Sequence, residues 1–322
     1  MKFSENAINI ATTLKVKGVA NDWIIKNFNT ILSEAEIINR IKQTKDSNFD
    51  EYKFYDYKDE VKAELEALGD SIDGIVAIND KEFPTYKIKN IKDKDKPVLL
   101  AYKGDLKLLS KLNLLRIAVI GILKPGEDIE KLEENILDKI LAKDAVIVSG
   151  LANGCDEKAH RYTLEKNRAT VAILPSTLKK ILPTSNAKLA QEIVANGGLL
   201  ISEYLTECKN PKFELAKRYI DRDRLQALFS DAVCLIASYS EKDSKIDRKK
   251  DSGSRHALNK AKEWNITRLA PVGLGLNDDE RFNLNREILN NGALEITNKN
   301  IENLLDEIIK QKSNKAVKNG LF

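Results

Sequence analysis

The strongest constraint on the fold is an alternation of short apolar runs with amphipathic stretches that starts near residue 116. Runs typical of buried strands lie at Ile117–Ile120, Ala145–Val148, Thr170–Leu174, Leu199–Ile201, Ala232–Ala237 and Ile266–Val272. Apolar residues at helical spacing fill Ile129–Leu141, Asp156–Lys166 and Ala187–Asn196. Strands that alternate with helices predict an α/β fold, with a mostly parallel sheet and right-handed crossovers.

The first 72 residues have a different pattern and predict a small helical domain. Apolar residues recur at helical spacing within Ile8–Leu14, Trp23–Ile31, Glu34–Ile41 and Tyr57–Leu68. Residues 73–308 then form the second predicted domain, which opens with candidate strands at Asp73–Ile78 and Lys96–Tyr102. Residues 309–322 are polar and basic, and they predict a flexible tail.

Composition and charge indicate a globular protein without a membrane segment. A chain of 322 residues with 42% hydrophobic residues can bury a sizeable core in two folded units. It has no apolar run of membrane-spanning length and no signal peptide, so we expect a cytoplasmic protein without a membrane partner. The net charge of +4 permits nucleic acid as a partner without requiring it. The three cysteines are far apart and suggest neither disulfides nor a zinc site.

The stretch from Val146 to Leu164 predicts a binding site. A strand leads into a loop of small residues that contains Ser149, Gly150, Asn153 and Gly154, and a helix follows. Such a loop turns backbone N–H groups outward beside the positive end of a helix, where an anion is favoured. We expect Asp156 to cap that helix. Ligands of such sheets bind beyond the carboxyl ends of the strands, where Gly121 also falls.

The string Ser149-Gly-Leu-Ala-x-Gly-x-Asp-x-x-Ala-His-Arg161 resembles the central motif of the DprA/Smf family of DNA-processing proteins. The resemblance covers roughly residues 73–295 well and the helical region weakly. It implies an extended Rossmann-like domain that binds single-stranded DNA, with no cofactor and a RecA-type recombinase as partner. Near the N-terminus, the turn around Gly18 resembles a helix-hairpin-helix turn, but Ala20 stands where the family has its second glycine, so we expect no DNA binding there.

Two further motifs extend the predicted nucleic-acid site. Arg222 and Arg224 resemble the arginines of the family's Phe-x-x-Arg-Asn-Arg, and we place them on a loop leading into a helix, where the planar guanidinium can grip phosphate. The alternative is a pair of surface arginines, one of them tied to Asp221 or Asp223. Ser252 and Gly253 resemble the start of the family's Ser-Gly-x-x-x-Thr-Ala.

The chain also departs from the family pattern. After the first parallel strand the family has Gly-Ser-Arg, whereas this chain has Gly121, Ile122 and Leu123, so Lys124 is left to supply a positive charge. Ala257 stands where the family's Ser-Gly-x-x-x-Thr-Ala motif has its threonine. Residues 239–251 form an unusually charged segment that predicts a solvated loop. The sequence leaves no room for the winged-helix domain of many relatives.

The histidines and cysteines predict structural roles. His160 lies four residues after Asp156, a spacing at which the two side chains can bond and support the loop. Cys155 is predicted to lie in the core. Three scattered cysteines and two histidines offer no evident metal-ligand set, so we predict no metal and no catalytic residue.

These patterns predict a binding protein that protects single-stranded DNA or loads it for RecA-mediated recombination and transformation. We expect a homodimer, with Leu284–Leu294 contributing to its surface. Two alternatives remain. One is a specialised relative from a phage or defence locus that senses nucleic acid or regulates a partner. The other is a nucleotide-processing enzyme related to phosphoribohydrolases, although their Pro-Gly-Gly-x-Gly-Thr string does not occur here.

Overall fold

A single mixed sheet organises the fold in the computed structural model, which describes residues 2–84, 91–111, 113–250, 253–272 and 278–318. Ten strands of the described residues pair in the order β1-β2-β3-β7-β6-β5-β4-β8-β9-β10. In chain order they are Lys2–Phe3, Gly74–Ala77, Leu99–Gly104, Arg116–Ile120, Val146–Ser149, Thr170–Ile173, Leu199–Ser202, Ala232–Leu235, Thr267–Pro271 and Leu294–Ile296.

The central part of the sheet is parallel, as the alternating pattern predicts. Strands β7, β6, β5, β4, β8, β9 and β10 pair in parallel in that spatial order. Only β3 is antiparallel to both of its neighbours, β2 and β7. Strands β4 to β8 are buried along their whole length, because helices cover both faces of the sheet. The predicted Rossmann-like α/β class is confirmed.

Thirteen helices accompany the sheet in the described ranges. The helices α1 to α13 are, in order, Glu5–Thr13, Asn21–Asn27, Glu34–Thr44, Glu51–Leu68, Lys107–Ser110, Glu127–Leu141, Cys155–Glu165, Ala187–Ala195, Pro211–Leu228, Glu241–Ile246, Arg255–Glu263, Asn283–Leu289 and Ile301–Lys318. None of the helices in these ranges is long and apolar enough to cross a lipid bilayer.

The N-terminal helical region is joined to the sheet rather than separate from it. Strand β1 pairs in parallel with β2 and so becomes an edge of the main sheet. Ile10 of α1, Phe54 of α4 and Leu200 of β7 are fully or almost fully buried in one continuous apolar core. The boundary predicted near residue 72 therefore matches a change of element type but does not separate two cores.

Several local predictions are wrong. In the predicted flexible tail 309–322, helix α13 continues through Lys318 and Lys312 lies 2.8 Å from the Asp231 carboxylate, while 319–322 lie outside the described residues. In the charged segment, Ser240 caps the short helix α10. The strand β10, Leu294–Ile296, was not predicted. Two of its three residues are exposed, so it lacks the apolar run that marks a buried strand.

Candidate nucleic-acid interface

A pocket of about 580 Å³ opens at the carboxyl ends of β4 and β5. Helix α9 and the start of α11 also contribute to its lining. Of the predicted site residues, Gly121, Asn153, Arg222 and Gly253 line it, together with Asp156. The structure therefore brings together three loops that lie far apart in the sequence. Ser252 is outside the described residues.

The loop after β5 holds an anion of its own. The Asp156 carboxylate accepts a hydrogen bond from the Gly150 backbone N–H at 3.0 Å. Ser149 points inward, and its hydroxyl donates to the Val119 carbonyl at 2.6 Å. The Gly150 amide, one of those expected to face a bound anion, therefore already has a carboxylate of the chain as its partner.

Helix α7 begins one residue earlier than predicted. Gly154, at φ +80°, is the N-cap, and Asp156 is the second residue of the helix rather than its cap. A Cβ on Gly154 would overlap backbone atoms of Ile122 and Leu123. Glycine is required here because the backbone is left-handed and the loop after β4 packs directly on it.

Arg222 lies under the pocket on helix α9, not on a loop. Its side chain is only 7% exposed, with Nη1 3.4 Å from Oδ2 of Asp156 and Nε 2.9 Å from Oδ1 of Asp223. A Cβ on Gly150 would overlap the guanidinium, so this glycine makes the space in which Arg222 lies. Two buried carboxylates thus balance the charge of Arg222.

Arg224 faces away from the pocket lining. Its guanidinium makes two hydrogen bonds to the Glu203 carboxylate, at 2.6 and 2.7 Å, and Nε donates to the Asp95 carbonyl at 3.1 Å. These bonds fasten α9 to the end of β7 and to the chain before β3. The alternative of a charge-paired arginine describes Arg224 better than phosphate binding, although its partner is Glu203 rather than a neighbouring aspartate.

His160 is buried, but it does not bond Asp156. Its Nδ1 lies 2.8 Å from the Thr170 hydroxyl on β6. Burial and the nearby charge of Arg222 lower the pKa of His160 to about 3, so the ring is neutral at physiological pH. The expected bond to Asp156 is wrong because the histidine ring turns toward the sheet, where it supports the start of α7.

The buried groups beneath the loops are strongly perturbed. Burial raises the pKa of the Asp156 carboxyl, and the charge of Arg222 and the loop amides oppose that rise. Burial also raises the pKa of Glu133 on α6, and its contact with the Cys155 thiol opposes that rise. Cys155, fully buried next to it, lies in the core as predicted.

The structure adds pocket residues that the motifs did not single out. Tyr219, Ile220, Asp223 and Gln226 of α9 line the pocket. Ile220 is 45% exposed, as is Leu123 at 44% on the opposite side of the opening. Their helical spacing along 219–226 could have marked them if that segment had been recognised as a helix. Lys124 is exposed beside this opening but does not line the pocket.

Comparison with known protein families shows which family the chain belongs to. Residues 74–309 match the profile of the family described as DNA recombination-mediator protein A. The chain belongs to this family. The predicted DprA/Smf resemblance is therefore confirmed.

Relatives in the family are similar over part of their length. Protein Smf of Borreliella burgdorferi is 30% identical over 159 residues, which are 49% of this chain and 48% of that protein. DprA of Streptococcus pneumoniae is 37% identical over 110 residues, 34% of this chain and 37% of that protein. The chain thus spans about half, or less, of the length of these curated relatives.

Solved structures of the family match more of the fold. The structure of DprA from Streptococcus pneumoniae covers 92% of this chain and 96% of that chain, at a TM-score of 0.69 and 25% identity. DprA from Helicobacter pylori covers 74% of this chain and 96% of that one, at a TM-score of 0.57 and 27% identity. The structural work on that relative concerns its single-stranded DNA binding mode.

Proposed function

We propose that this protein binds single-stranded DNA at the carboxyl end of its sheet, with one nucleobase in the pocket and phosphates along the rim. Membership of a family of DNA recombination mediators supports this proposal, as does the single-stranded DNA binding mode described for the Helicobacter pylori relative. The observation that carries it is the pocket itself, which lies where the three predicted loops meet.

The charges beneath the pocket favour a base over a phosphate. Arg222 is paired with Asp156 and Asp223, and the Gly150 amide is already bonded to Asp156. A phosphate placed beside Arg222 would meet the two carboxylates that already pair with its guanidinium. An uncharged ring with donors and acceptors meets no such repulsion, and a volume of about 580 Å³ is ample for it.

The rim carries the cations that phosphates need. Lys124 is exposed beside the opening, and Arg255 at the start of α11 lines the pocket. Asn153 is also exposed there and can donate a hydrogen bond to a sugar or phosphate oxygen. We therefore assign phosphate contacts to Lys124 and Arg255, base contact to Arg222, and a structural role to Arg224.

The proposed role is that of a mediator rather than an enzyme. The protein would hold the strand in the cytoplasm and pass it to a RecA-type recombinase during recombination or transformation, and it would act as a homodimer. Leu284 and Ile288 of the segment Leu284–Leu294 pack into the chain's own core, whereas Leu294 is 42% exposed and could contribute apolar surface to such a dimer.

The test compares Lys124→Ala with the matched variant Lys42→Ala, which removes an exposed lysine from α3 in the helical region. Affinity for a labelled oligothymidylate is measured by fluorescence anisotropy at several salt concentrations, with duplex DNA and RNA as competitors. Lys124→Ala should weaken binding of all sequences similarly and flatten the slope of log affinity against log salt by about 0.7. Lys42→Ala should change neither quantity. Absence of single-stranded DNA binding by the parent protein would refute the proposal.

A further inference from the structure

An exposed apolar ridge extends from the pocket opening along the first half of α9. Phe213 is 72% exposed and lies three and seven residues before Ala216 and Ile220, which both line the pocket. Residues at this spacing share one face of a helix. The ridge, defined by Phe213, Ala216 and Ile220, is therefore continuous with the pocket, whose lining also includes the exposed Leu123.

This exposure is unusual for its place in the fold. In the second half of α9, every residue from Arg222 to Leu228 is buried, so the helix is already well packed there. Phe213 lies on the outer face, where its ring is mostly exposed and adds little burial energy to the fold. A ring exposed beside a ligand pocket has a functional explanation more readily than a structural one.

Cations accompany the ridge. The Lys212 ammonium lies 5.8 Å from the centre of the Phe213 ring, and Lys209 is exposed one turn before it. Among the described residues, Lys124, Lys209 and Lys212 make no ion pair, so their charges are available to a polyanion. Aromatic rings interleaved with such cations are the arrangement that single-stranded nucleic acids use, since every base has a face that can stack.

We propose that Phe213 is a stacking site for a second base of the bound strand, a few nucleotides from the base in the pocket. This inference rests on the proposed function. Phe213 and Ile220 are seven positions apart on the helix, which corresponds to about 10 Å along the axis. A strand whose bases rise by about 3.4 Å each would cover this distance in about three nucleotides. The ridge thus lengthens the site from one base to a short track.

The test uses a labelled oligothymidylate of about ten nucleotides, within the usual range of site sizes for sequence-independent binding. Phe213→Ala should lower its affinity about 5- to 140-fold, which is ~1–3 kcal/mol per stacked base converted at 1.4 kcal/mol per tenfold. Phe213→Leu should lose nearly as much, because leucine keeps apolar volume without a ring, whereas Phe213→Trp should keep or improve the affinity. Binding of a dithymidine dinucleotide, too short to reach the ridge, should stay the same in all three variants.

The matched control is Tyr52→Ala, which removes an aromatic ring that is 83% exposed on α4. It should leave affinity for both ligands unchanged. A parent protein that binds no single-stranded DNA would overturn the proposed function and this inference together. If Lys124→Ala weakens binding while Phe213→Ala does not, the stacking site alone is wrong. Unchanged DNA affinity with altered self-association by light scattering would make the ridge a protein contact and would also overturn it.

Discussion

Replacement of Arg222 by alanine should destabilise the fold strongly, although arginines in charged segments are usually replaced at little cost. The side chains of Arg222 and Asp156 are each only 7% exposed. Removal of one partner from a buried ion pair leaves an uncompensated charge, at a cost of about 3–5 kcal/mol. Because Asp223 is also left without its guanidinium, we expect a loss in this range rather than the roughly 0.5 kcal/mol of a surface change.

The loss should depend on pH in a defined direction. Burial already raises the pKa of Asp156 above its usual value, and Arg222 opposes that rise. Without Arg222 the folded-state pKa rises further. An acid whose folded pKa is raised loses stability as pH increases from its unfolded pKa through its folded pKa. The deficit of Arg222→Ala relative to the parent should therefore be larger at pH 8 than at acidic pH, where Asp156 becomes protonated.

Urea denaturation at several pH values measures these quantities, with the m-value as a check that the transition stays comparable. Arg161→Ala is the matched control, since Arg161 is 43% exposed and pairs with Glu157 one helical turn away. Its cost should stay below about 1 kcal/mol. Adding Asp156→Asn to Arg222→Ala should recover part of the loss, because contacting partners couple by about 0.5–3 kcal/mol. A loss for Arg222→Ala no larger than that for Arg161→Ala would refute the placement of this ion pair.

Three further outcomes follow from the buried groups. Glu133→Gln should stabilise the fold increasingly, relative to the parent, as pH rises above about 4.5, by up to about 1.4 kcal/mol per pH unit. The reason is that it removes a carboxyl whose pKa is raised by burial. Equal pH profiles of the two proteins in urea denaturation would contradict this prediction. Gly150→Ala should weaken single-stranded DNA binding in anisotropy titrations by displacing the Arg222 guanidinium, and its effect should shrink in an Arg222→Ala background. Arg224→Ala should lower the free energy of unfolding by several kcal/mol in the same denaturation assay, because it leaves the Glu203 carboxylate without its partner. The DNA affinity of the folded protein should stay within twofold. A loss of DNA binding without a loss of stability would show that Arg224 contacts the DNA.

The sequence was informative where one physical signal dominated. Buried parallel strands such as Val146–Ser149 are continuous β-branched runs, so their position could be predicted to within about a residue. Gly121 and Asn153 line one pocket because the carboxyl ends of the parallel strands β4 and β5 meet at one edge of the sheet.

The errors arose where tertiary contacts decide the outcome. Helix α9 begins with Pro211 at its first turn, yet its exposed, charged first half hides the apolar periodicity that reveals a helix. The pairings of Arg224 with Glu203 and of His160 with Thr170 join segments whose proximity only the folded sheet creates. The same holds for Asp156, whose bond to Gly150 reverses a prediction based on the loop alone.

In the loop after β5, the Asp156 carboxylate of the chain itself occupies the anion position beside the Gly150 amide. A group attached to the chain faces its amide at a local concentration that a short linker sets in the millimolar range or above, so dissolved anions compete poorly for that position. Inorganic phosphate or sulfate should therefore not inhibit strand binding by occupying the position beside the Gly150 amide. Buffer choice, which often distorts affinities measured for phosphate-binding loops, should matter little for this protein once ionic strength is matched.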